Sequence, residues 1–485
     1  MQLVKNDLVV WNNILTFAEN RIYDPMIRHI NDISSQTTSH AAGMKKVLLA
    51  ANESGCSITQ IAVMQYKAGE VAHATIHPDL QDNFYILRGE VDVTLDGETQ
   101  RCHEGHFIFV PFGTVCELQA VTEVEMLAMG CVIEAERRKL YPMLFEPNLH
   151  EVVWGGSRLK QWKKLNGKEG TPDSRHIGES WEVSAVPSSP SVVSNGTWAG
   201  YALPEVIARR PAAILGKAVA NRYGGLLPLL VKFIDARKDL SIQVHPNDEM
   251  ARREHQKLGK SEMWYILEAE PGACLYAGFK KEITKEEYKE RVANGTITEV
   301  LARHEVHKGD VFYLPAGRVH AICSGILLVE VQQSSDVTYR IYDYGRMGLD
   351  GRPRELHTEL AAQAIDYEVY PEYKTEHRED IDAANELLNT PYFSIKVIET
   401  TKPFHRDMIK FDSFVILMCL EGDCKVRVRS TGDEVTIPEG YSCLIPAAVA
   451  DYELSPAGGF TKVLESFINN RKSIGRIIKD FFHRT

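Results

Sequence analysis

The 485-residue chain contains no Cys-x-x-Cys pair. Its nine cysteines (Cys56, Cys102, Cys116, Cys131, Cys274, Cys323, Cys419, Cys424 and Cys443) are odd in number and scattered. That pattern argues against a disulfide framework and for free thiols in a reducing compartment. No run of 18 apolar residues occurs, so no membrane-spanning helix is expected. The opening stretch MQLVKNDLVVWNNIL has no basic segment leading into an apolar core and a small-residue cleavage site, the form a secretory signal takes. The expected location is therefore the cytoplasm. Basic charge is not in excess either: 55 Lys and Arg stand against 66 Asp and Glu, a formal net charge of -11. A nucleic-acid partner, which asks for a basic face, is disfavoured, while a small anionic ligand held by local charge remains open.

What the chain does have is a pattern written three times: GHFIFVPFGTVC from Gly105, GDVFYLPAGRVH from Gly309 and GYSCLIPAAVAD from Gly440. In each, a glycine is followed six positions later by a proline (Pro111, Pro315, Pro446), with an apolar run of strand length between them. Proline ends the strand by removing a ladder donor. Five positions beyond it comes a variable residue: Cys116, His320 or Asp451. An earlier strand and turn precede each copy, and Val91, Val93 and Leu95 alternate with Asp92, Thr94 and Asp96 before Gly97, as a half-buried hairpin strand does. Many short strands with regular turns point to sandwiches or barrels.

The Gly-x5-Pro-x-Gly-x2-His pattern resembles the second motif of the cupin superfamily. The expectation is an all-β protein of three cupin (jelly-roll) barrels, divided as residues 1–135, 136–366 and 367–485. Glu134 to Lys139 reads as a charged linker, and the Tyr- and charge-rich stretch from Tyr367 to Glu386 as the bridge from the second barrel to the third. The middle barrel carries a small helical insertion, where Thr284-Lys-Glu-Glu287 reads as a capping box and Gly295 as the helix stop.

The middle barrel also holds a candidate metal set. In LSIQVHPND, Gln243 and His245 stand two apart on a strand; in GKSEMWYIL, Lys260 and Glu262 do the same; the repeat supplies His320. Period two turns each pair to one face. Two imidazoles, a carboxylate and an amide converging in a small barrel suit zinc or a similar divalent ion. The other two copies lack the same set.

The stretches VVWGGSRL, HIGESWEVSA, LLVKFIDARKDLSIQVHPND, GKSEMWYIL, GDVFYLPAGRVHAI and SSDVTYRIYDYGR resemble type I mannose-6-phosphate isomerases in their shorter bacterial form, over roughly residues 140–467. The resemblance implies one zinc per chain on Gln243, His245, Glu262 and His320, and a sugar-phosphate substrate interconverted between mannose 6-phosphate and fructose 6-phosphate. It also carries over Lys232, Lys260, Asp336 and Arg340 as catalytic residues. An aldose–ketose isomerisation moves a proton between C1 and C2 and needs a base and a stabiliser of the developing oxyanion. Arg340 and Lys260 are assigned to anionic groups, and Lys232 with Asp336 to proton transfer or its support. Asp336 could simply pair with a neighbouring Arg. Glu179, Trp181 and Glu182 match the GESWE stretch but could be barrel-packing residues, and they are left out of the site.

The first barrel departs from this pattern: Thr75, Asp82 and Cys116 stand at three ligand positions and only His77 matches. The third has Asp451 at the His position and reads as structural. Two rival readings are a metal-dependent cupin oxygenase, since two His and a carboxylate suit ferrous iron, and a non-catalytic sugar-phosphate-binding protein. Gln243 and the cations Lys232, Lys260 and Arg340 favour the phosphosugar enzyme. No nucleic-acid or membrane partner is expected, and the oligomeric state is open.

Overall fold

The computed structural model describes residues 26–470 apart from 39–41, 51–52, 54–57, 77–79, 112–113, 133–138 and 167–175. His77, Cys56 and nearly all of the charged linker therefore lie outside the described residues. The chain divides into two compact units, Met1–Lys139 and Leu140–Thr485. As expected, the architecture is predominantly β: six antiparallel sheets occur among the described residues, two in the first unit and four in the second.

The three sequence copies build one backbone device. Gly105, Gly309 and Gly440 have φ of 86°, 94° and 82°, in the left-handed region that a side chain rarely enters. Each donates its N–H to the carbonyl of the preceding long strand: Gly105 to Ile86 at 3.0 Å, Gly309 to Ile266 at 2.8 Å, Gly440 to Cys419 at 2.9 Å. The same three strand residues donate back to His106, Asp310 and Tyr441. The short strands that follow, Phe107–Val110, Val311–Leu314 and Ser442–Ile445, pair with the long ones, and the motif proline comes next in each.

In the first unit the two sheets share one core, with Met64, Ile86 and Met126 from one and Val93, Leu118 and Ala120 from the other. In the second unit the sheet running through Leu229–Ala236, Ile326–Gln333 and Glu262–Ala269 packs Ile234, Trp264 and Leu328 against Leu275, Ala302 and Ile322 of its partner sheet. The last two sheets span Ala383 to Phe467, joined by Met143–Leu144, which pairs with Cys443 and Leu444.

The expected insertion helix is Lys285–Ala293. The Thr284 hydroxyl accepts from the Glu287 N–H at 3.1 Å, while the Glu287 carboxylate goes to Lys281 and Arg291 instead of back to the cap. The other helices among the described residues were not foreseen; three follow one another as Leu203–Arg209, Pro211–Leu215 and Lys217–Tyr223. The last is capped from far away, since the Asp412 carboxylate accepts the N–H groups of Lys217 and Ala218 at 2.9 and 2.7 Å. The Tyr-rich bridge packs back on the middle sheets. Tyr373 donates to the Phe279 carbonyl at 3.0 Å, and Lys374 pairs with Asp310 at 2.6 Å. No helix among the described residues is long and apolar enough to cross a membrane.

Candidate metal centre and active site

Strand pairing lines up the site in two rows. Across one sheet, Trp181, Lys232, Glu330 and Trp264 are successive register partners on four strands. Across the other, His320, Gln243 and Arg340 are partners on three. Residues opposite one another in a ladder share a face, so each row presents its side chains together. A cleft of about 180 Å³ is lined by residues of both rows, with Glu179, Lys260 and Arg354.

His245, Glu262 and His320 are buried and place their ligating atoms within 4.8 Å of one another. Glu262 Oε2 lies 3.3 Å from His245 Nε2 and Oε1 lies 3.2 Å from His320 Nε2. The tautomers decide what this means. His245 Nδ1 is 3.0 Å from the Val337 carbonyl, and His320 Nδ1 is 2.8 Å from the Arg318 carbonyl. Only a ring N–H can donate there, so both Nε2 atoms carry lone pairs when the rings are neutral. Burial, reinforced by Lys260, pushes His245 down to about 3, and burial also lowers His320. Neutral rings therefore aim two nitrogen lone pairs at a fully buried carboxylate neither of whose oxygens has a well-directed hydrogen-bond donor. Such a cluster of acceptors calls for a cation, and the donor set suits a divalent metal with oriented imidazoles. Lys260 Nζ supplies part of that charge, 3.0 Å from both Glu262 Oε2 and His245 Nε2. The Gln243 amide completes the group, its Nε2 3.3 Å from His320 Nε2.

Lys232 sits between two carboxylates, 3.4 Å from Glu179 Oε2 and 3.2 Å from Glu330 Oε1. Burial disfavours its charge, but the two acids outweigh burial and raise its pKa. Glu179 is pulled below its usual range against burial, by Lys232 and by the Trp181 indole that donates to it at 2.6 Å. Trp264 donates to Glu330 Oε2 at 3.1 Å. Arg340 donates through Nε to Ser241 Oγ at 3.3 Å and through Nη1 to the Glu355 carbonyl at 3.1 Å.

Of the eight residues singled out from sequence, seven converge here. Asp336 does not. Its side chain is 40% exposed and its Oδ1 lies 2.5 Å from Lys257 Nζ, so it is one half of a surface ion pair outside the cleft. Its neighbour Val337 serves the site instead, through the carbonyl that orients His245. Glu330 and Arg354 were missed, and Glu179 was set aside as packing. A lone acid in the apolar strand ILLVEVQQ was the available signal for Glu330.

In the first unit, Asp82 and Cys116 line a smaller cavity of about 40 Å³ with Met64, Tyr66 and Phe84. Burial, with Asp82 adding to it, pushes the Cys116 thiol up to about 11. In the last pair of sheets Asp451 pairs with His405 at 2.6 Å.

A family model described as phosphomannose isomerase type I, catalytic domain, matches residues 143–272, and a cupin domain model matches residues 62–130. Mannose-6-phosphate isomerase ManA of Bacillus subtilis is 35% identical over 318 residues, covering 64% of this chain and 95% of that protein. The chain belongs to the type I phosphomannose isomerase family. A mannose-6-phosphate isomerase of Streptococcus mutans is 39% identical over 227 residues, covering 46% of this chain and 67% of that one. The crystal structure of the Bacillus subtilis mannose 6-phosphate isomerase superposes with a TM-score of 0.59 at 29% identity, over 67% of this chain and 99% of that chain. The cupin segment of residues 62–130 is a second domain match beside the isomerase match.

Proposed function

We propose that this chain interconverts mannose 6-phosphate and fructose 6-phosphate in the cleft between the two rows, using one zinc ion per chain held by Gln243, His245, Glu262 and His320. The observation that carries the reading is the buried carboxylate facing two imidazole lone pairs, next to a cleft edged by Lys232, Lys260 and Arg340. When bound, a divalent metal polarises substrate oxygens and stabilises the negative charge that builds up as an enediolate forms.

The chain's own groups do the rest. Isomerisation removes the proton from C2 of the open-chain aldose and delivers one to C1, while the C2 hydroxyl gives up its proton and O1 gains one. Lys232 is held charged by its two acids, so it serves as a cation and the proton acceptor is a carboxylate beside it, Glu179 or Glu330. Lys260, beside the metal group, stabilises developing negative charge on substrate oxygens, and Arg340 meets the substrate's other anionic group. Asp336 takes no part in this proposal.

A coupled isomerase assay on mannose 6-phosphate, with and without chelator and with metal analysis, tests the reading. Turnover that falls with metal content is expected, and full turnover by metal-free protein would overturn it. Exchange of the C2 proton with solvent, measured on Glu179→Gln and Glu330→Gln, distinguishes the two acids. The variant lacking the acceptor loses exchange and turnover together.

A further inference from the structure

Resting on the reading above, we infer that Arg354, held rigid by Asp343, anchors the substrate phosphate together with Arg340. Asp343 is buried, and it takes Arg354 in a fork: Nε donates to Oδ2 at 2.7 Å and Nη2 to Oδ1 at 2.6 Å. Arg346 donates to the same carboxylate through Nε at 2.8 Å. Arg340 and Arg354 line this end of the cleft, Arg346 shares Asp343 with Arg354, and the three guanidinium groups exceed this one buried carboxylate by two positive charges. Glu355 is the other acid near Arg340, and its side chain is 83% exposed. The Lys232 end is the opposite case, with one ammonium between two buried acids. A dianionic phosphate belongs at the arginine end on charge alone.

Geometry agrees. The Arg354 bonds to Asp343 use Nε and Nη2 and leave Nη1 without a partner among the described residues, while Arg340 likewise keeps Nη2. Both residues line the cleft, with Ser241 and Thr338 beside them. A guanidinium fixed at one edge and open at the other can give phosphate oxygens directed, charge-assisted bonds with little further ordering. The row order is His320, Gln243, Arg340, so Arg340 stands two strand spacings, about 10 Å, from His320. The segment bearing Arg354 runs on beyond it, since His357 donates its N–H to the Arg340 carbonyl at 2.7 Å. A six-carbon chain can then reach from the metal group to the arginines.

The test uses the full-length, metal-loaded enzyme and inorganic phosphate as the probe. Arg354→Gln should raise KM for mannose 6-phosphate and the inhibition constant of phosphate in parallel, by about 10- to 100-fold, the scale of losing hydrogen bonds to a charged group. KM should rise more than kcat falls, and metal content should hold at the wild-type level. Arg354→Lys keeps a cation beside Asp343 but loses the fork, so an intermediate rise is expected. Asp343→Asn, which frees both arginines, should shift the same two constants, as a positioning residue does. Unmoved KM and phosphate inhibition in a folded Arg354→Gln or Arg354→Lys enzyme would overturn the inference. Should Arg354→Gln fail to fold, the Lys variant decides alone. If the wild type proves inactive on mannose 6-phosphate, the proposed function falls. Calorimetric binding of phosphate to wild type and Arg354→Lys then still decides the anchor, equal affinities overturning it.

Discussion

The first and middle sheet pairs share a frame and differ in what stands in it. Glu262 pairs with Leu314, the residue before the motif proline, and Asp82 pairs with Val110, the residue before its own. Gln243 is the register partner of His320, and Thr75 that of Cys116. At these pairs the register is the same, yet among the described residues only the middle pair brings together two imidazoles and a carboxylate. Asp82 is one methylene shorter than Glu, and a thiol pushed up to about 11 stays protonated at neutral pH. The first cavity, about 40 Å³ and lined by Met64, Phe84, Val110 and Leu118, has none of the cations that edge the middle cleft of about 180 Å³. The frame holds side chains at a fixed separation; the identity of four side chains and the charge around them decides whether the place has chemistry.

The harshest way to break this comparison is to make the middle pair resemble the first. Glu262→Ala or His320→Ala should abolish metal binding and isomerase activity together, read by metal analysis and coupled assay. A variant that keeps its metal would move the metal site elsewhere. Next in size is Arg340→Lys, which keeps the charge and loses the planar fork. The ratio kcat/KM should fall on the order of tenfold to a hundredfold, through KM more than kcat, the scale of losing hydrogen bonds to a charged group, with metal content and unfolding midpoint unchanged. Loss of metal or of the fold in that variant would make Arg340 a structural residue.

The last sheet pair sharpens the contrast from another side. Glu465, on its central strand, is as buried as Glu330, but it does not share its cation with a second acid as Glu330 shares Lys232 with Glu179: Arg406 Nε donates at 2.8 Å and the Tyr452 hydroxyl at 2.6 Å. Burial opposes the Arg406 charge, but Glu465 more than compensates and raises its pKa. Arg406→Met should cost about 3–5 kcal/mol, because it strands a buried carboxylate. Pairing it with Glu465→Leu should recover most of that loss. Urea unfolding reads both, and activity below the transition should stay at the wild-type level. An unfolding midpoint unchanged in Arg406→Met would mean the pair is solvated.

How much of this was legible in sequence depended on distance along the chain. The glycine–proline frame and the Gln243, His245 pair are local, and they were readable because φ above zero and period two leave marks within a few residues. Glu330 was not, since its meaning comes from strands that set it beside Lys232 and Trp264. The helix from Lys217 is capped by Asp412, 195 positions away, and no local reading finds such a cap. Asp336 shows the opposite failure. The SDVTYR stretch does serve the site, but through the Val337 carbonyl and Arg340, and the resemblance that carried Asp336 over could not tell a backbone contribution from a carboxylate one position earlier.

The smallest expected effect comes from removing the first sheet pair altogether. All the ligands and cations of the proposed site lie beyond residue 139, within a compact unit of their own. The relative from Bacillus subtilis is covered to 95% of its length by 64% of this chain, so a protein without the rest forms the same family fold. Deleting residues 1–139 should therefore leave metal at one per chain and change kcat/KM by no more than about twofold, the scale of changes remote from buried features. In the full-length chain, Asp82→Asn combined with Cys116→Ser should do the same, because those two side chains hold no metal in this reading. Metal content is the sharper measurement, since it reports on each sheet pair whether or not the assay suits the truncated protein. A fall toward half in the double variant would show two metals per chain and dissolve the contrast between the two frames. A folded, metal-loaded truncation without activity would show that the first unit shapes the substrate cleft.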